Sequence, residues 1–183
     1  MNLEFLKPTI VLVHGAFEDG TEKNNRLQND YGFDAGVDHR SATFQADLMA
    51  AGSAAGIDVF FDNVGGPVLD TVLPLMARGG RVVCCGAVSQ YDRHVDDVRQ
   101  PGPRGVPQWL INKSLRMEGF TIADFQAEWP EAIDVLRAQL EAGILRPAVH
   151  LWERLESAPD ALIAVLSGRN FGQGIVRLHP DPA

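Results

Sequence analysis

Two apolar runs in this 183-residue chain end in residue types suited to handling a nucleotide. Ile57-Asp58-Val59-Phe60-Phe61-Asp62-Asn63-Val64-Gly65-Gly66 reads as a buried strand entering a Gly-Gly turn. Gly80-Arg81-Val82-Val83-Cys84-Cys85-Gly86-Ala87-Val88-Ser89-Gln90-Tyr91 repeats that design. Ligands of open α/β sheets lie across strand C-termini, and the nicotinamide half of a dinucleotide needs two such ends side by side. Glycine and alanine let the backbone approach a flat ring closely, while Asn63, Ser89 and Tyr91 bring hydrogen-bonding side chains. The usual first part of such a site, a glycine-rich loop cradling the pyrophosphate, is not found in the sequence.

Other chemistry is poorly supported. Cys84 and Cys85 are adjacent in a strand, so they point to opposite faces and read as small buried hydrophobes rather than as a pair. His14, His39, His94, His150 and His179 lack metal-ligand spacing, and no metal is expected. A formal net charge of -8 argues against nucleic acid, which rewards clustered Lys and Arg. No apolar run approaches the roughly 20 residues of a membrane span, and Met1-Asn2-Leu3-Glu4-Phe5 has no signal-peptide pattern. A cytoplasmic chain that contacts neither membrane nor nucleic acid is expected.

The elements that must position these residues alternate. Thr9–His14 is a strand, Thr21 caps a helix to Tyr31, and Asp34–Asp38 is a short strand. Ser41 caps a helix carrying Phe44, Leu48 and Ala51, and the strand at 58–62 follows. Pro67 opens a helix with Val68, Val72, Leu75 and Met76 on one face; Gly79-Gly80 ends it before the strand at 81–86. Residues 92–107 form a Pro-rich loop, 109–115 a short helix and 116–123 a strand. Pro130 starts an amphipathic helix with Ile133, Leu136 and Leu140 inward and Gly143 at its end. Residues 149–152 are extended, 159–166 are helical, and 174–178 close as a strand. Strands alternating with helices, most of them continuously apolar, give an α/β class: a Rossmann-type doubly wound, mostly parallel sheet with helices on both faces.

The order of motifs carries a resemblance. Thr21-Glu22-Lys23, Gly32-Phe33-Asp34, Phe61-Asp62-Asn63-Val64-Gly65-Gly66, Cys85-Gly86-Ala87-Val88-Ser89-Gln90-Tyr91, Leu115-Arg116-Met117-Glu118-Gly119-Phe120 and Gly168-Arg169-Asn170-Phe171-Gly172 follow in turn. Over residues 21–178 the chain resembles the C-terminal part of a medium-chain dehydrogenase/reductase. The branch is the zinc-independent one of prostaglandin and leukotriene reductases, plant alkenal reductases and bacterial curcumin-type reductases. That resemblance implies NADP(H) as cofactor, an enone or enal as small-molecule substrate, and hydride transfer to its carbon–carbon double bond.

It also implies roles by position. Lys23 would meet the 2′-phosphate, and His39 stands where relatives often place a Tyr near the adenosine. Asn63 would bond the cofactor near its nicotinamide ribose. Cys85, Gly86, Ala87, Val88, Ser89, Gln90 and Tyr91 would wrap the nicotinamide side, with Tyr91 the candidate catalytic donor to the enone oxygen. Phe120, Thr121 and Ile122 would border nicotinamide and substrate, and Asn170 would reach back to the cofactor. Each has an ordinary rival. Lys23 suits a solvated helix face, Asn63 a turn bonding its own backbone, and Tyr91 a loop anchor.

The opening residues differ. Lys7-Pro8-Thr9-Ile10-Val11-Leu12-Val13-His14-Gly15-Ala16-Phe17 resembles the start of an α/β-hydrolase, yet no Gly-x-Ser-x-Gly elbow follows. The expected organisation is a hydrolase-like leader over 1–20, a Rossmann-type cofactor domain lacking its first βα unit over 21–144, and a C-terminal segment over 145–183. By connectivity residues 9–14 take the second-strand slot and leave the sheet's middle empty, or they take the central slot. The central slot, or pairing between subunits, is expected to restore a continuous sheet. Glu18 and Asp19 would repel phosphate, so weak NADPH affinity and little standalone activity are expected of this truncated form. A non-catalytic oligomerisation module is the alternative, with a hydrolase a distant third. A homodimer or a missing catalytic-domain partner would cover the apolar Leu151, Trp152, Leu162 and Val165.

Overall fold

A computed structural model describes residues 11–14, 20–52, 54–90 and 105–179. In chain order the elements are β1 (Val11–His14), α1 (Gly20–Tyr31), β2 (Ala35–Asp38), α2 (Phe44–Ala51), β3 (Ile57–Asp62), α3 (Gly66–Val72), β4 (Met76–Cys84), α4 (Val106–Lys113), β5 (Arg116–Gly119), α5 (Trp129–Glu141), β6 (Val149–Glu153), α6 (Ala158–Leu166) and β7 (Gln173–Arg177). Short 3-10 turns lie between several of them. Every strand pairing among the described residues is parallel and each paired strand is reached through a helix, so the fold is α/β and Rossmann-like. No described helix is long and apolar enough to cross a membrane. Two compact units divide the chain, one built on Ala42–Ala127 and the other on Ile10–Ser41 with Glu128–Ala183.

The first unit holds a sheet in the order β3–β4–β5, with Phe60 opposite Val82, Asp62 opposite Cys84, and Cys84 opposite Gly119. Val68, Leu69, Val72, Leu73, Met76 and Val82 form its buried centre, with Phe44 and Leu48 of α2. Several boundaries differ from the sequence expectation. α3 stops at Val72 because Pro74 cannot continue it; Leu73–Leu75 make a 3-10 turn, and Met76 already belongs to β4. Gly79-Gly80 therefore sit inside β4, where the register jumps from Ile57↔Met76 to Val59↔Arg81. Glycines make such an irregularity inexpensive. Thr43, rather than Ser41, precedes α2, and its hydroxyl donates to Asp47 Oδ2 at 2.8 Å. β5 ends at Gly119 instead of reaching Ala123, because the Thr121 N–H donates to Asp124 Oδ2 at 2.7 Å and opens a 3-10 turn over Ile122–Glu128.

In the second unit β1 pairs with β2 from Val11↔Ala35 to His14↔Asp38, and β6 pairs with β7 from Val149↔Gln173 to Glu153↔Arg177. Leu27, Val37, Ala161 and Ala164 are its buried hydrophobes among the described residues. The described strands form hydrogen-bonded groups of two, three and two, and one expectation is corrected here. β1, α1 and β2 close on one another as a strand–helix–strand crossover, so β1 takes the strand that follows it as its partner. Ile133, Leu136 and Leu140 of α5 are not inward: they are 52%, 48% and 45% exposed. Periodicity sets which side chains share a helix face, but another element must arrive to cover that face.

Candidate functional site

The C-terminal ends of β3 and β4 are stapled together. The Cys85 and Gly86 N–H groups both donate to the Asp62 carbonyl, at 2.8 and 3.1 Å. One step further, the Val88 N–H donates to the Asn63 carbonyl at 3.2 Å and the Ser89 N–H to the Val64 carbonyl at 3.1 Å. The Ser89 hydroxyl donates to that same Val64 carbonyl at 2.6 Å. On the other side of β4, the Phe120 N–H donates to the Cys84 carbonyl at 3.2 Å. Three loops thus open side by side at one edge of the sheet: Asn63–Gly66, Cys85–Ser89 and Phe120–Ile122.

Local chemistry explains their shape. Gly65 and Gly66 have φ of 67° and 54°, a left-handed turn that side chains resist. Gly86 is required for space, since a Cβ there would stand 3.0 Å from the Asn63 carbonyl oxygen. Beneath the first loop Asp62, only 2% exposed, accepts the Val64 and Gly65 N–H groups on Oδ1 at 2.9 and 2.8 Å. This carboxylate turn was not singled out from sequence. Its signal was legible as an Asp placed two and three residues before the amides it binds.

What the loops display is mixed. Asn63 is exposed, and its carboxamide has no hydrogen-bond partner among the described residues. Val88 and Ile122 are exposed apolar side chains. Phe120 stands between Phe61 and Phe125, with ring centroids at 6.2 and 5.6 Å. Phe61 and Phe125 were also missed, because nothing in a strand pattern shows which side chains stay open. The cysteines depart from expectation: Cys84 is half-buried and Cys85 is exposed, since β4 ends between them. Burial, and secondarily the charge of Asp62, pushes the Cys84 thiol above its ordinary value. It is therefore a neutral thiol at pH 7.

Asn63, Cys85, Gly86, Ala87, Val88, Ser89, Phe120, Thr121 and Ile122 all belong to this edge of the first unit. Gln90 closes the 3-10 turn Val88–Gln90, but its side chain lies outside the described residues, as do all of Tyr91, Glu18 and Asp19. The remaining candidates belong to the second unit. Lys23 lies on α1, with its side chain outside the described residues. His39 is half-buried in the turn after β2, where Asp38 Oδ1 accepts the Arg40 N–H at 3.0 Å and Arg40 donates to the Ser167 carbonyl at 3.1 Å. Asn170 donates to the Gly172 carbonyl at 2.6 Å, bracing its own turn. Next to it Phe171 lies 3.9 Å beneath the Arg26 guanidinium and 5.7 Å from the Tyr31 ring. Among the described residues no group of three or more His, Cys, Asp or Glu side chains could hold a metal ion.

Comparison with known proteins finds relatives for the chain. The profile of the zinc-binding dehydrogenase family matches residues 16–138. A (+)-pulegone reductase from Mentha piperita is 35% identical over 162 residues, covering 87% of this chain and 45% of its own length. The NADPH-dependent curcumin reductase of Escherichia coli K12 is 32% identical over 169 residues, covering 88% of this chain and 47% of its own. A crystal structure of CurA in complex with NADPH from Vibrio vulnificus superposes with a TM-score of 0.78 at 32% identity, over 94% of this chain and 50% of that one. The chain spans about half the length of the curated relatives it matches.

Proposed function

The chain belongs to the zinc-binding dehydrogenase family, in its double-bond reductase branch, and from that premise we propose that it serves an NADPH-dependent oxidoreductase. The reaction is reduction of the carbon–carbon double bond of an α,β-unsaturated ketone or aldehyde. The observation that supports the reading is the stapling of β3 to β4 from Cys85 to Ser89, which brings Asn63 and the small residues to one edge of the sheet. Its donor set suits the nicotinamide half of a dinucleotide: an unpartnered carboxamide, small residues over Cys85–Val88, and apolar Val88, Phe120 and Ile122 to exclude water.

When bound, the cofactor supplies the hydride. The residues of the chain position it and shape the site. Asn63 would hold the ribose end by its carboxamide, and the backbone of Gly86–Val88 would face the ring. Val88, Phe120 and Ile122 would form the apolar border for the double bond. Tyr91 is the proposed hydrogen-bond donor to the carbonyl oxygen as negative charge develops there. Lys23 is proposed to meet the 2′-phosphate, with His39 near the adenosine and Asn170 as a further cofactor contact. The family's name carries zinc, but the described residues offer no cluster that fits it, and no step here runs through a metal.

Thermal unfolding of the 183-residue chain with millimolar NADPH, NADH or neither tests the reading, because a ligand that binds only the folded state must raise Tm. A rise selective for NADPH is expected, followed by NADPH oxidation with an alkenal as substrate. The same Tm under all three conditions refutes it.

A further inference from the structure

Asp62 is the one buried ionisable side chain among the described residues, and nothing in the reaction uses it. No cation among the described residues partners it; its Oδ1 is spent on two backbone amides, Val64 and Gly65. Its carbonyl meanwhile accepts two more, from Cys85 and Gly86. One residue therefore clamps both loops of the crevice, the first by its side chain and the second by its backbone. Ser89 closes the clamp from the far side, placing its hydroxyl 2.6 Å from the Val64 carbonyl. That hydroxyl also fills the space over Gly66, where an added Cβ would meet it at 2.8 Å. Asn63 sits between these two tethers with its carboxamide exposed. Its neighbours' backbone bonds, rather than any bond of its own side chain, fix where it projects.

We propose that Asp62 and Ser89 are the positioning residues of this sheet edge, setting Asn63 for the nicotinamide half of the cofactor: Asp62 from its buried place beneath the loop, Ser89 through the bond of its hydroxyl to the Val64 carbonyl. This rests on the NADPH reading above. A buried carboxylate accepting two amides makes a stiff turn, because each bond to a charged acceptor is stronger than a neutral one. Removing it frees the 63–66 loop to sample other conformations, and a loop that must be reordered on binding lowers affinity. On that reading the adenosine end falls to Lys23 and His39, neither of which belongs to this turn.

Fluorescence titration of the 183-residue chain with NADPH and with 2′,5′-ADP, which lacks the nicotinamide riboside, tests the proposal. Asp62→Ala is expected to weaken NADPH by roughly tenfold or more while 2′,5′-ADP changes by less than about twofold. Asp62→Asn keeps a neutral acceptor oxygen at the same place and is expected to fall between the parent and Asp62→Ala in NADPH affinity. Ser89 is exposed, so Ser89→Ala keeps the question answerable should Asp62→Ala fail to fold; a loss of about threefold confined to NADPH is expected. A merely structural role moves both ligands together through the folded fraction. Equal loss of both ligands, or unchanged NADPH affinity in both alanine variants, overturns the proposal and leaves the reductase reading intact. Absence of NADPH binding to the unaltered chain sinks that reading, and the positioning role falls with it.

Discussion

Gly86→Ala is the sharpest probe of the close approach between the β3 and β4 ends, and Gly119→Ala in the same sheet is its control. A methyl group at position 86 would lie 3.0 Å from the Asn63 carbonyl oxygen and 3.5 Å from its Cα. Both neighbours are backbone, so relief requires the β3 and β4 ends to part by several tenths of an ångström. The Asn63 carbonyl also accepts the Val88 N–H at an already long 3.2 Å, and parting stretches that bond further. Overpacking of this kind costs about 1–3 kcal/mol, and a weakened hydrogen bond adds up to about 1 kcal/mol. A total near 2 kcal/mol lowers Tm by roughly 4–8 °C for a chain of this size. At position 119 the nearest atom is the Cys84 carbonyl oxygen at 3.7 Å, an ordinary contact. Gly119→Ala is therefore expected to be neutral, or to stabilise by up to about 1 kcal/mol through a less flexible unfolded chain. Scanning calorimetry and urea titration of both variants, with m-values compared, measure this directly. A Gly86→Ala protein melting within about one degree of the parent refutes the argument, as does a Gly119→Ala protein losing as much as Gly86→Ala.

Three further outcomes follow from contacts elsewhere. Lys113 donates to the Pro74 and Met76 carbonyls, both at 2.6 Å, and its ammonium stands 5.8 Å from the Trp109 ring centroid. Lys113→Met should cost about 2 kcal/mol after allowance for partial exposure, read as a lower urea midpoint at constant m. Leu73 has no exposed surface whereas Leu136 is 48% exposed, so Leu73→Ala should lose about 2–5 kcal/mol and Leu136→Ala under about 1 kcal/mol; similar losses would mean α5 is covered. Thiol titration with a disulfide reagent at pH 8 should show Cys85 reacting first, a fast phase removed by Cys85→Ser. The folded Cys84 thiol is raised above 9.0, so its contribution to stability is complete below that pH and is lost as pH rises through the folded value. Cys84→Ala should accordingly flatten the decline in stability above pH 9.0.

What could be read from sequence and what could not divides along a physical line. The strand ends were legible because their signals are local: a run of Val and Phe sets the strand, Gly65-Gly66 the left-handed turn, and Gly86 the close approach. Since β3 and β4 are joined by a single helix, their parallel pairing follows from connectivity, and with it the meeting of Asn63 and Ser89. Interior element boundaries were harder. Val68 to Met76 carries a helical pattern, but Pro74 turns Leu73–Leu75 into a 3-10 turn and the pairing of Met76 opposite Ile57 places Met76 in strand. Which apolar faces end covered was not legible, because coverage is a property of two elements. Ile133, Leu136 and Leu140 share a face of α5, yet no described residue of that helix is buried. Asp62 shows the same limit from the opposite direction. Within the run Phe60-Phe61-Asp62-Asn63 its acidic side chain looks like the solvated end of a strand. Only the folded turn shows that the carboxylate is withdrawn from water and bound to two amides. Local pattern therefore marked where the strand ends lie, whereas the residues that tie their loops together came to light through the bonds they make between them.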